Sequence, residues 1–558
     1  MHRIHDPIYG YIEISDYERK LIDTLLFQRL RGIHQQGTAY LTYPSSKHDR
    51  FSHSLGTMKI ATDFLYSFAR VGGPEFRSEI FPLMKRAVRI TCLYHDIGHG
   101  PFSHASDRIF QMNLSEEDKK EMAKLQIHSP HELFSYRIIK DFLPEYLNYI
   151  ETEYNKFVDE QKEPYVTFQD LKKTLEVSGP LFFDGRPEKE LKFYLGGNER
   201  KLLCWRAFKQ IIDCDFDSDK IDYIQRDGYI TGVKVGHLDT LGLLNNLLID
   251  YTINNDNEEI GDVIFDRPAM SAIETLVLER YKLFKWLNFH HTVCFSDELI
   301  SRVMELSIKE AFDDGAFTYD TFNTLAQEDL KALKSGGTYQ PYNINLLDDF
   351  SVIFNVKKAF KECNSNPELK LARYYLNIIE SRQFFTGIWR VDSLLEPEQE
   401  RILSRFKKEI DKEQNNYVPF LQGLVKPIEF EIANEFKVNK NDVIITYKPF
   451  EPVKPNINIR IKTDEGIKNI RDVSSIISLL EWRRRIRPAD LKKMIFKITD
   501  KSIGKKKSED LNALLIEELE DAPQIFTPIY VFIKDFPRDS RIKAKGKIFK
   551  IIEKSLPN

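Results

Sequence analysis

The chain has 558 residues and a formal net charge of −4, from 81 basic and 85 acidic residues. The near-neutral balance neither requires nor excludes a polyanionic partner, and the length favours two lobes rather than one core. Because the sequence has no run of about 18 apolar residues and no signal peptide, we predict a soluble cytoplasmic protein with no membrane partner. The five cysteines are widely spaced and are interpreted as buried free thiols in a reducing compartment.

Helical periodicity dominates residues 15 to about 310. We predict a flexible connector over 334–345 and a further helical block behind it. From about residue 425, alternating apolar residues predict short strands, including 443–447 and 457–461. The predicted fold is mostly α, with a helical core over 1–335, a helical extension over 336–425 that completes it, and an α+β C-terminal lobe with a basic tail over 426–558.

The first helix with candidate functional side chains opens at Arg50. Apolar residues then recur at helical spacing, and His53 falls in the first turn. A single buried histidine is more often a core group than a metal ligand, so His53 gains meaning only from the rest of the chain.

The decapeptide 95–104 places three histidines and a carboxylate directly after an apolar helix. His95 and Asp96 can offer an imidazole and a carboxylate to one metal ion. His99 lies one helical turn further on, and glycine and proline at 98–101 break the helix, so that His104 returns toward the metal. This concentration of titratable groups indicates chemistry rather than packing.

A polar stripe follows at helical spacing, with apolar residues on both sides of it in the sequence. Because a buried polar stripe must be paired or must coordinate a metal, it is the candidate source of a further ligand. Its members are Asp219, Asp222, Tyr223, Arg226 and Asp227.

Taken in order, His53, the pair His95-Asp96 and Asp219 resemble the H…HD…D signature of the HD-domain metal-dependent phosphohydrolases. Segments 43–56, 95–104 and 217–227 are similar to motifs of one group among them, the deoxynucleoside triphosphate triphosphohydrolases, with similarity from about residue 6 to 382. The resemblance implies an HD-domain helical catalytic core that cleaves a dNTP into deoxynucleoside and inorganic triphosphate. It also implies one transition metal on these four ligands (iron or manganese, with zinc or nickel as alternatives) and Mg²⁺ on the triphosphate.

The same resemblance implies roles for further residues. His104 is expected near the scissile 5′ oxygen as acid or nucleophile and His99 and His131 at the α-phosphate, with Asp107 and Glu132 orienting the imidazoles. Gln36, Leu287 and Phe295 depart from the family's pattern at the substrate, not at the metal. The expected substrate-binding residues are Gln35, Gln36, Arg50, Lys220, Tyr223, Asp227 and His291.

Asp23, Gln28 and Arg31 match the family's guanine-reading activator site, where a carboxylate accepts from guanine N1–H and N2–H₂ and arginine donates to O6 and N7. We therefore expect a nucleotide activator and a homo-oligomer, a tetramer or a dimer. Two alternatives stay open: a nuclease or phosphodiesterase acting on single-stranded nucleic acid or a cyclic nucleotide, suggested by basic runs such as 483–487, and a catalytically silent nucleotide-sensing subunit. A role in antiviral defence is a further hypothesis.

Overall fold

The computed structural model describes most of the chain in separate ranges. It is mostly α with a few small sheets, which confirms the predicted fold class. The described residues are 2–71, 77, 81–127, 129–154, 169–170, 172–173, 175, 191–195, 198–202, 205–234, 238–253, 259–312, 315–335, 347–363, 365–391, 402, 405–406, 408–409, 421–447, 457–474, 476–477 and 529–556.

The α-helices in these ranges often begin at a polar residue whose side chain accepts a backbone N–H, as Ser15, Asp217 and Asp348 do. Their bounds are α1 Asp16–Ile22, α2 Leu25–Gln28, α3 Arg50–Val71, α4 Phe81–Tyr94, α5 Asp107–Met112, α6 Glu116–Leu125, α7 Pro130–Arg137, α8 Leu143–Tyr154, α9 Trp205–Ile212, α10 Ser218–Thr231, α11 Thr240–Asn245, α12 Met270–Leu283, α13 His291–Ala311, α14 Tyr319–Lys334, α15 Asp349–Glu362, α16 Pro367–Ser381, α17 Lys426–Phe436, α18 Ile470–Val473 and α19 Arg541–Ser555. The strands are β1 His2–Asp6, β2 Gly10–Ile14, β3 Leu191–Leu195, β4 Asn198–Leu202, β5 Leu247–Ile253, β6 Glu259–Asp266, β7 Thr386–Val391, β8 Val443–Tyr447, β9 Arg460–Thr463, β10 Gly466–Asn469 and β11 Ile529–Ile533.

The chain divides into two compact units that are interleaved along the sequence. The first unit comprises Met1–Leu276, Ser301–Tyr375 and Asn458–Ile470. The second comprises Val277–Ile300, Leu376–Ile457 and Arg471–Asn558. The sequence-based division at 335 and 425 therefore differs from the structural one.

The first unit contains a β1–β2 hairpin, the β3–β4 hairpin and a four-stranded sheet in the order β10-β9-β6-β5. Strand β9 pairs in parallel with β6, so residues 460–463 belong to this unit although their stretch was predicted as part of the C-terminal lobe. Helices dominate residues 15 to about 310 as predicted, but strands β3 to β6, which were not predicted, also lie in this range. Short apolar runs of this kind do not distinguish buried strand from helix by periodicity alone.

The second unit is built on an antiparallel sheet of order β7-β11-β8. The predicted strand over 443–447 is confirmed, whereas β7 lies in the segment predicted as helical. The basic tail forms α19, whose Ala544, Ile548 and Ile552 are buried in the core beside the sheet. The basic runs at 483–487 and 505–507 lie outside the described residues.

Two composition-based expectations can be compared with the structure. Among the helices of the described ranges, none is both long and apolar enough to cross a membrane. Cys92, Cys214, Cys294 and Cys363 are free thiols, but Cys363 is exposed and Cys214 is only partly buried, so the prediction that all are buried was wrong at these two positions. Cys204 lies outside the described residues.

Candidate metal centre and neighbouring histidine cluster

Four predicted ligands converge in the first unit. The Nε2 atom of His53 lies 3.0 Å from Asp219 Oδ1 and 3.5 Å from Asp96 Oδ2. The Nε2 atom of His95 lies 3.4 Å from Asp96 Oδ1 and 3.8 Å from Asp219 Oδ1. We call these four residues the metal-ligand cluster.

Three elements bring the cluster together. His53 is in the first turn of α3, His95 and Asp96 follow the last residue of α4, and Asp219 is in the first turn of α10. Helix α10 starts there because the side chain of Asp217 accepts the Lys220 N–H at 2.7 Å. Helices α3, α4 and α10 are largely buried, so the positions of these side chains are fixed by packing.

The hydrogen bonds of the two histidines determine which ring nitrogen faces the cluster. His53 donates its Nδ1–H to Asp222 at 2.8 Å, and His95 donates its Nδ1–H to the carbonyl of Cys92 at 2.7 Å. Both partners can only accept, so in a neutral ring the lone pair is on Nε2. Within the described residues, neither buried Nε2 has a satisfactory hydrogen bond.

The charges around the cluster fit a cation. Burial by itself lowers the pKa of His53, but the carboxylates of Asp219 and Asp222 raise it to about 10. Burial raises the pKa of Asp96, yet His95 and Arg50 outweigh burial and hold it at about 2. Two imidazole nitrogens and two ionised carboxylates are ligands that suit a divalent transition metal, and the orphaned Nε2 atoms face those carboxylates. The residues present therefore fit the metal that the sequence motifs imply.

A buried ionic network lies behind His53. Arg226 donates to both oxygens of Asp222, at 2.9 and 3.0 Å, and to Asp6 at 2.8 Å. A Cβ atom at Gly56 would lie 1.8 Å from Asp222 Oδ1, so this helix position needs glycine. The polar stripe of α10 is thus paired. The roles of Asp222, Arg226 and Asp6 beside a predicted ligand were not predicted from the sequence. The helical spacing of the stripe could have indicated Asp222 and Arg226.

A second group lies beside the first and comprises His99, His104, Asp107 and His131, which we call the histidine cluster. Asp107 accepts the Nδ1–H of His104 and the Nδ1–H of His131, each at 3.0 Å. His99 stacks on His131 with ring centroids 3.7 Å apart, and His104 contacts both rings edge-on. The predicted catalytic residues are therefore adjacent, with Asp107 orienting two imidazoles.

The protonation of this cluster is uneven. Burial, Arg50 and the other histidines hold the pKa of His99 well below its usual value, so His99 is neutral. For His131, burial lowers the pKa, but Asp107 and, more weakly, Glu132 raise it overall. Asp107 is thus hydrogen-bonded to two of these imidazoles, and the charge of Glu132 contributes to the raised pKa of His131.

The turn between the two clusters has an unusual backbone. Phe102 and Ser103 both have φ of 55°, a left-handed conformation rare for residues with a Cβ. Added Cβ atoms at Gly98 and Gly100 would lie 2.3 Å from the His131 carbonyl and from the Phe110 ring, respectively. The glycines foreseen as helix breakers are therefore also required for close packing.

Two of the predicted substrate-binding residues, Arg50 and Lys220, are cations that pair with carboxylates. Arg50 is buried and donates to Asp96 and, at 2.8 Å, to Ser103. Lys220 pairs with its capping residue Asp217 at 2.5 Å. Both cations are in the first unit, beside the metal-ligand cluster in sequence and structure.

The remaining predicted substrate residues divide into three groups. Asp227 is buried and accepts hydrogen bonds from Gln36 at 2.5 Å and from His48 at 2.6 Å. It therefore holds the side-chain amide of Gln36 in position. The buried Oε1 of Gln35 has no hydrogen-bond donor within the described residues, and Tyr223 is half-buried on α10. His291 belongs to the second unit, where it stacks on His290 at 4.4 Å.

The predicted activator residues also lie close together. Asp23 is exposed at the end of α1, and Gln28 donates to the carbonyl of Ile22 at 2.8 Å. Arg31 donates to Gln28 at 2.8 Å and lies over the ring of Phe51 at 3.4 Å. Phe51 is in the same helical turn as the ligand His53.

With this geometry established, the chain can be compared with known proteins. Residues 50–169 match the HD domain family. The chain is 31% identical over 386 residues to the human deoxynucleoside triphosphate triphosphohydrolase SAMHD1, a match that covers 68% of this chain and 54% of the human protein. It is also 28% identical over 385 residues to an uncharacterised Bacillus subtilis protein, covering 66% of this chain and 73% of that protein.

Solved structures show the same fold at greater sequence distance. A phosphohydrolase from Bacteroides thetaiotaomicron superposes with a TM-score of 0.55 at 18% identity, over 96% of this chain and 100% of that protein. A hypothetical protein from Aquifex aeolicus gives 0.54 at 19% identity, over 98% and 99%. At this level of identity, the likenesses concern the fold alone.

Proposed function

We propose that this protein hydrolyses deoxynucleoside triphosphates to deoxynucleosides and inorganic triphosphate. The single observation that carries the proposal is the adjacency of the metal-ligand cluster and the histidine cluster, which supplies a cation site and oriented imidazoles at one place. The similarity to the human triphosphohydrolase supports the choice of substrate, and the first unit contains the matched HD domain.

The proposed chemistry assigns separate tasks to the two clusters. His53, His95, Asp96 and Asp219 hold a transition metal, which when bound supplies Lewis-acid stabilisation of phosphate charge and a more acidic water. A water molecule attacks the α-phosphorus and forms the new P–O bond of inorganic triphosphate, and its proton is released to solvent. As the bond from the 5′ oxygen to the α-phosphorus breaks, His104 donates a proton to that leaving oxygen, and Asp107 holds the His104 ring in position. Neutral His99 and the more basic His131 contact the α-phosphate.

Product analysis tests the reaction. Purified protein is incubated with each dNTP, singly and in mixtures, with Mn²⁺, Fe²⁺ or Mg²⁺ added, and the products are separated by ion-exchange chromatography. The proposal predicts deoxynucleoside and triphosphate in equal amounts. Nucleoside monophosphate with pyrophosphate, or cleavage of single-stranded nucleic acid alone, would instead support the phosphodiesterase alternative.

We further propose that a guanine nucleotide binds at Asp23, Gln28 and Arg31 and that the active form is a homo-oligomer, a tetramer or a dimer. The contact of Arg31 with Phe51 supports this proposal, because Phe51 shares a helical turn with His53. A nucleotide that moved Arg31 would therefore act on the turn carrying a metal ligand.

A further inference from the structure

Segment 347–349, at the start of α15, holds the turn that carries His104. Asp349 is buried, with 2% of its surface exposed, and its Oδ1 accepts the Phe102 N–H at 2.5 Å. Its Oδ2 accepts from His34 twice, from the backbone N–H at 3.1 Å and from the ring Nδ1 at 2.6 Å. One carboxylate thus joins two segments that are far apart in the sequence.

Both segments lead directly to proposed site residues. Phe102 is two positions before His104, and its left-handed backbone persists only where the surroundings hold it. His34 immediately precedes Gln35, whose buried Oε1 has no donor within the described residues. Ser103 adds a cross-link between the segments, because its hydroxyl donates to the His34 carbonyl at 2.7 Å.

A buried arginine, Arg29, also links the turn to segment 347–349. Arg29 donates to the carbonyls of Ile97 and His99, each at 2.7 Å, and to the carbonyl of Leu347 at 3.2 Å. Arg29 is fully buried and its guanidinium also lies 4.9 Å from the ring centre of Phe322. Segment 347–349 is therefore linked to the turn in two ways. Arg29 joins the Leu347 carbonyl to the carbonyls of Ile97 and His99. Asp349 accepts the Phe102 N–H.

We propose that Asp349 is a positioning residue for the reaction, setting His104 against the leaving oxygen and Gln35 against the sugar. The inference rests on the proposed function, since it acts through residues assigned there. Within the described residues, Asp349 accepts hydrogen bonds from Phe102 and His34 and from no member of either cluster, so its loss should leave the metal in place. A misplacement of about 1 Å can cost on the order of 10²-fold in rate.

The chain offers a matched control in Asp329. It is equally buried, at 0% exposure, and its carboxylate likewise accepts two backbone N–H groups, from Leu25 at 2.6 Å and Leu26 at 3.1 Å. Those amides begin helix α2 rather than the turn of His104. Loss of Asp329 should therefore cost stability of the same kind without misplacing His104.

The test compares full-length Asp349→Asn, Asp349→Ala and Asp329→Asn with the wild type. Asparagine keeps one acceptor oxygen and alanine keeps none, so we expect kcat to fall about tenfold or more in the asparagine variant and further, towards 10²-fold, in the alanine variant. Metal content should match the wild type in both, and Asp329→Asn should keep kcat within about threefold. Equal losses of kcat in Asp349→Asn and Asp329→Asn would overturn the inference, because both would then reflect general destabilisation.

Hydrogen exchange gives a readout that does not depend on turnover. In the wild type the Phe102 amide should exchange slowly, and in the Asp349 variants exchange should accelerate in peptides covering 98–106 while peptides covering 22–28 stay unchanged. The reverse pattern is expected for Asp329→Asn. Fast exchange at Phe102 in the wild type overturns the inference even if a variant does not fold. Absence of dNTP hydrolysis in the wild type overturns the proposed function instead, and exchange still tests the role of Asp349.

Discussion

The metal-ligand cluster and the histidine cluster use the same residue types but are held in different ways. The side chain of His53 is fully buried and bonded to Asp222 on a neighbouring helix, whereas the side chain of His104 is 51% exposed and bonded to Asp107 three residues away. The first cluster depends on packing between long helices. The second depends on a turn that contains residues in the left-handed conformation, and on hydrogen bonds from residues distant in the sequence, such as Asp349.

From this difference we expect that the proposed metal binding and the proposed proton transfer can be lost separately. The Nδ1 partners of the metal-ligand histidines are acceptors outside the histidine cluster, whereas Asp107 accepts hydrogen bonds from His104 and His131 within it. A change in one cluster should therefore leave the other largely intact.

The largest effect is expected for Asp219→Asn, which removes one anionic ligand while keeping the shape of the side chain. Without that charge the site should lose its metal and all measurable turnover, as determined by elemental analysis of the purified protein and by the dNTP assay. The matched control is Asp213→Asn, since Asp213 is exposed and pairs only loosely with Lys209 at 3.6 Å. Metal retained at the wild-type ratio in Asp219→Asn would exclude Asp219 as a ligand.

The next effect is expected for His104→Ala. General acid–base catalysis typically contributes about 10²–10⁴-fold, so turnover should fall by that much while the metal content stays at the wild-type value. Activity and metal should be measured on the same preparation. If the loss is below about tenfold, the acid is another group, with His131 as the first candidate.

A smaller effect is expected at the proposed activator site. In the wild type, GTP, dGTP or dTTP should accelerate hydrolysis of another dNTP and increase the sedimenting mass, with a coupling on the order of 1–3 kcal/mol. Asp23→Ala combined with Arg31→Ala should abolish the acceleration and keep the basal rate. If none of the three nucleotides changes the hydrolysis rate or the sedimenting mass of the wild type, the activator proposal is contradicted.

The smallest effect concerns the protonation of His131. Because Asp107 raises its pKa, Asp107→Asn should shift the His131 titration to lower pH in an NMR experiment. A raised folded-state pKa stabilises the protein fully below the unfolded value near 6.5, and this contribution disappears as pH rises through the folded pKa. Denaturant unfolding below and above that window should therefore show a smaller difference in Asp107→Asn than in the wild type.

Much of the candidate metal site could be predicted from the sequence because its proposed ligands lie in short local motifs. His95 and Asp96 are adjacent, and Asp219 heads a helix whose polar stripe has a recognisable spacing. The residues that hold the site in position do not lie in recognisable sequence motifs. Asp349, Arg29 and Asp6 are single polar residues whose meaning arises only when distant segments meet.

The fold shows the same limit. The mostly α class followed from helical periodicity, and strand β8 from an alternating apolar run. The assignment of residues 458–470 to the first unit could not follow from local pattern, because it depends on the parallel pairing of β9 with β6. Strand β7 was missed because its six residues, 386–391, are paired by β11 from the far end of the chain.

The network Asp6–Arg226–Asp222–His53 has a consequence for how the protein matures. Its members and the ligands occupy positions from 6 to 226, so the centre cannot be complete until this whole stretch has left the ribosome. A metal taken up there acts as a late cross-link between distant parts of the chain, and it stabilises only the folded form. Chelation should thus lower the melting temperature of the first unit, and a nascent chain should not acquire its metal before residue 226 has emerged.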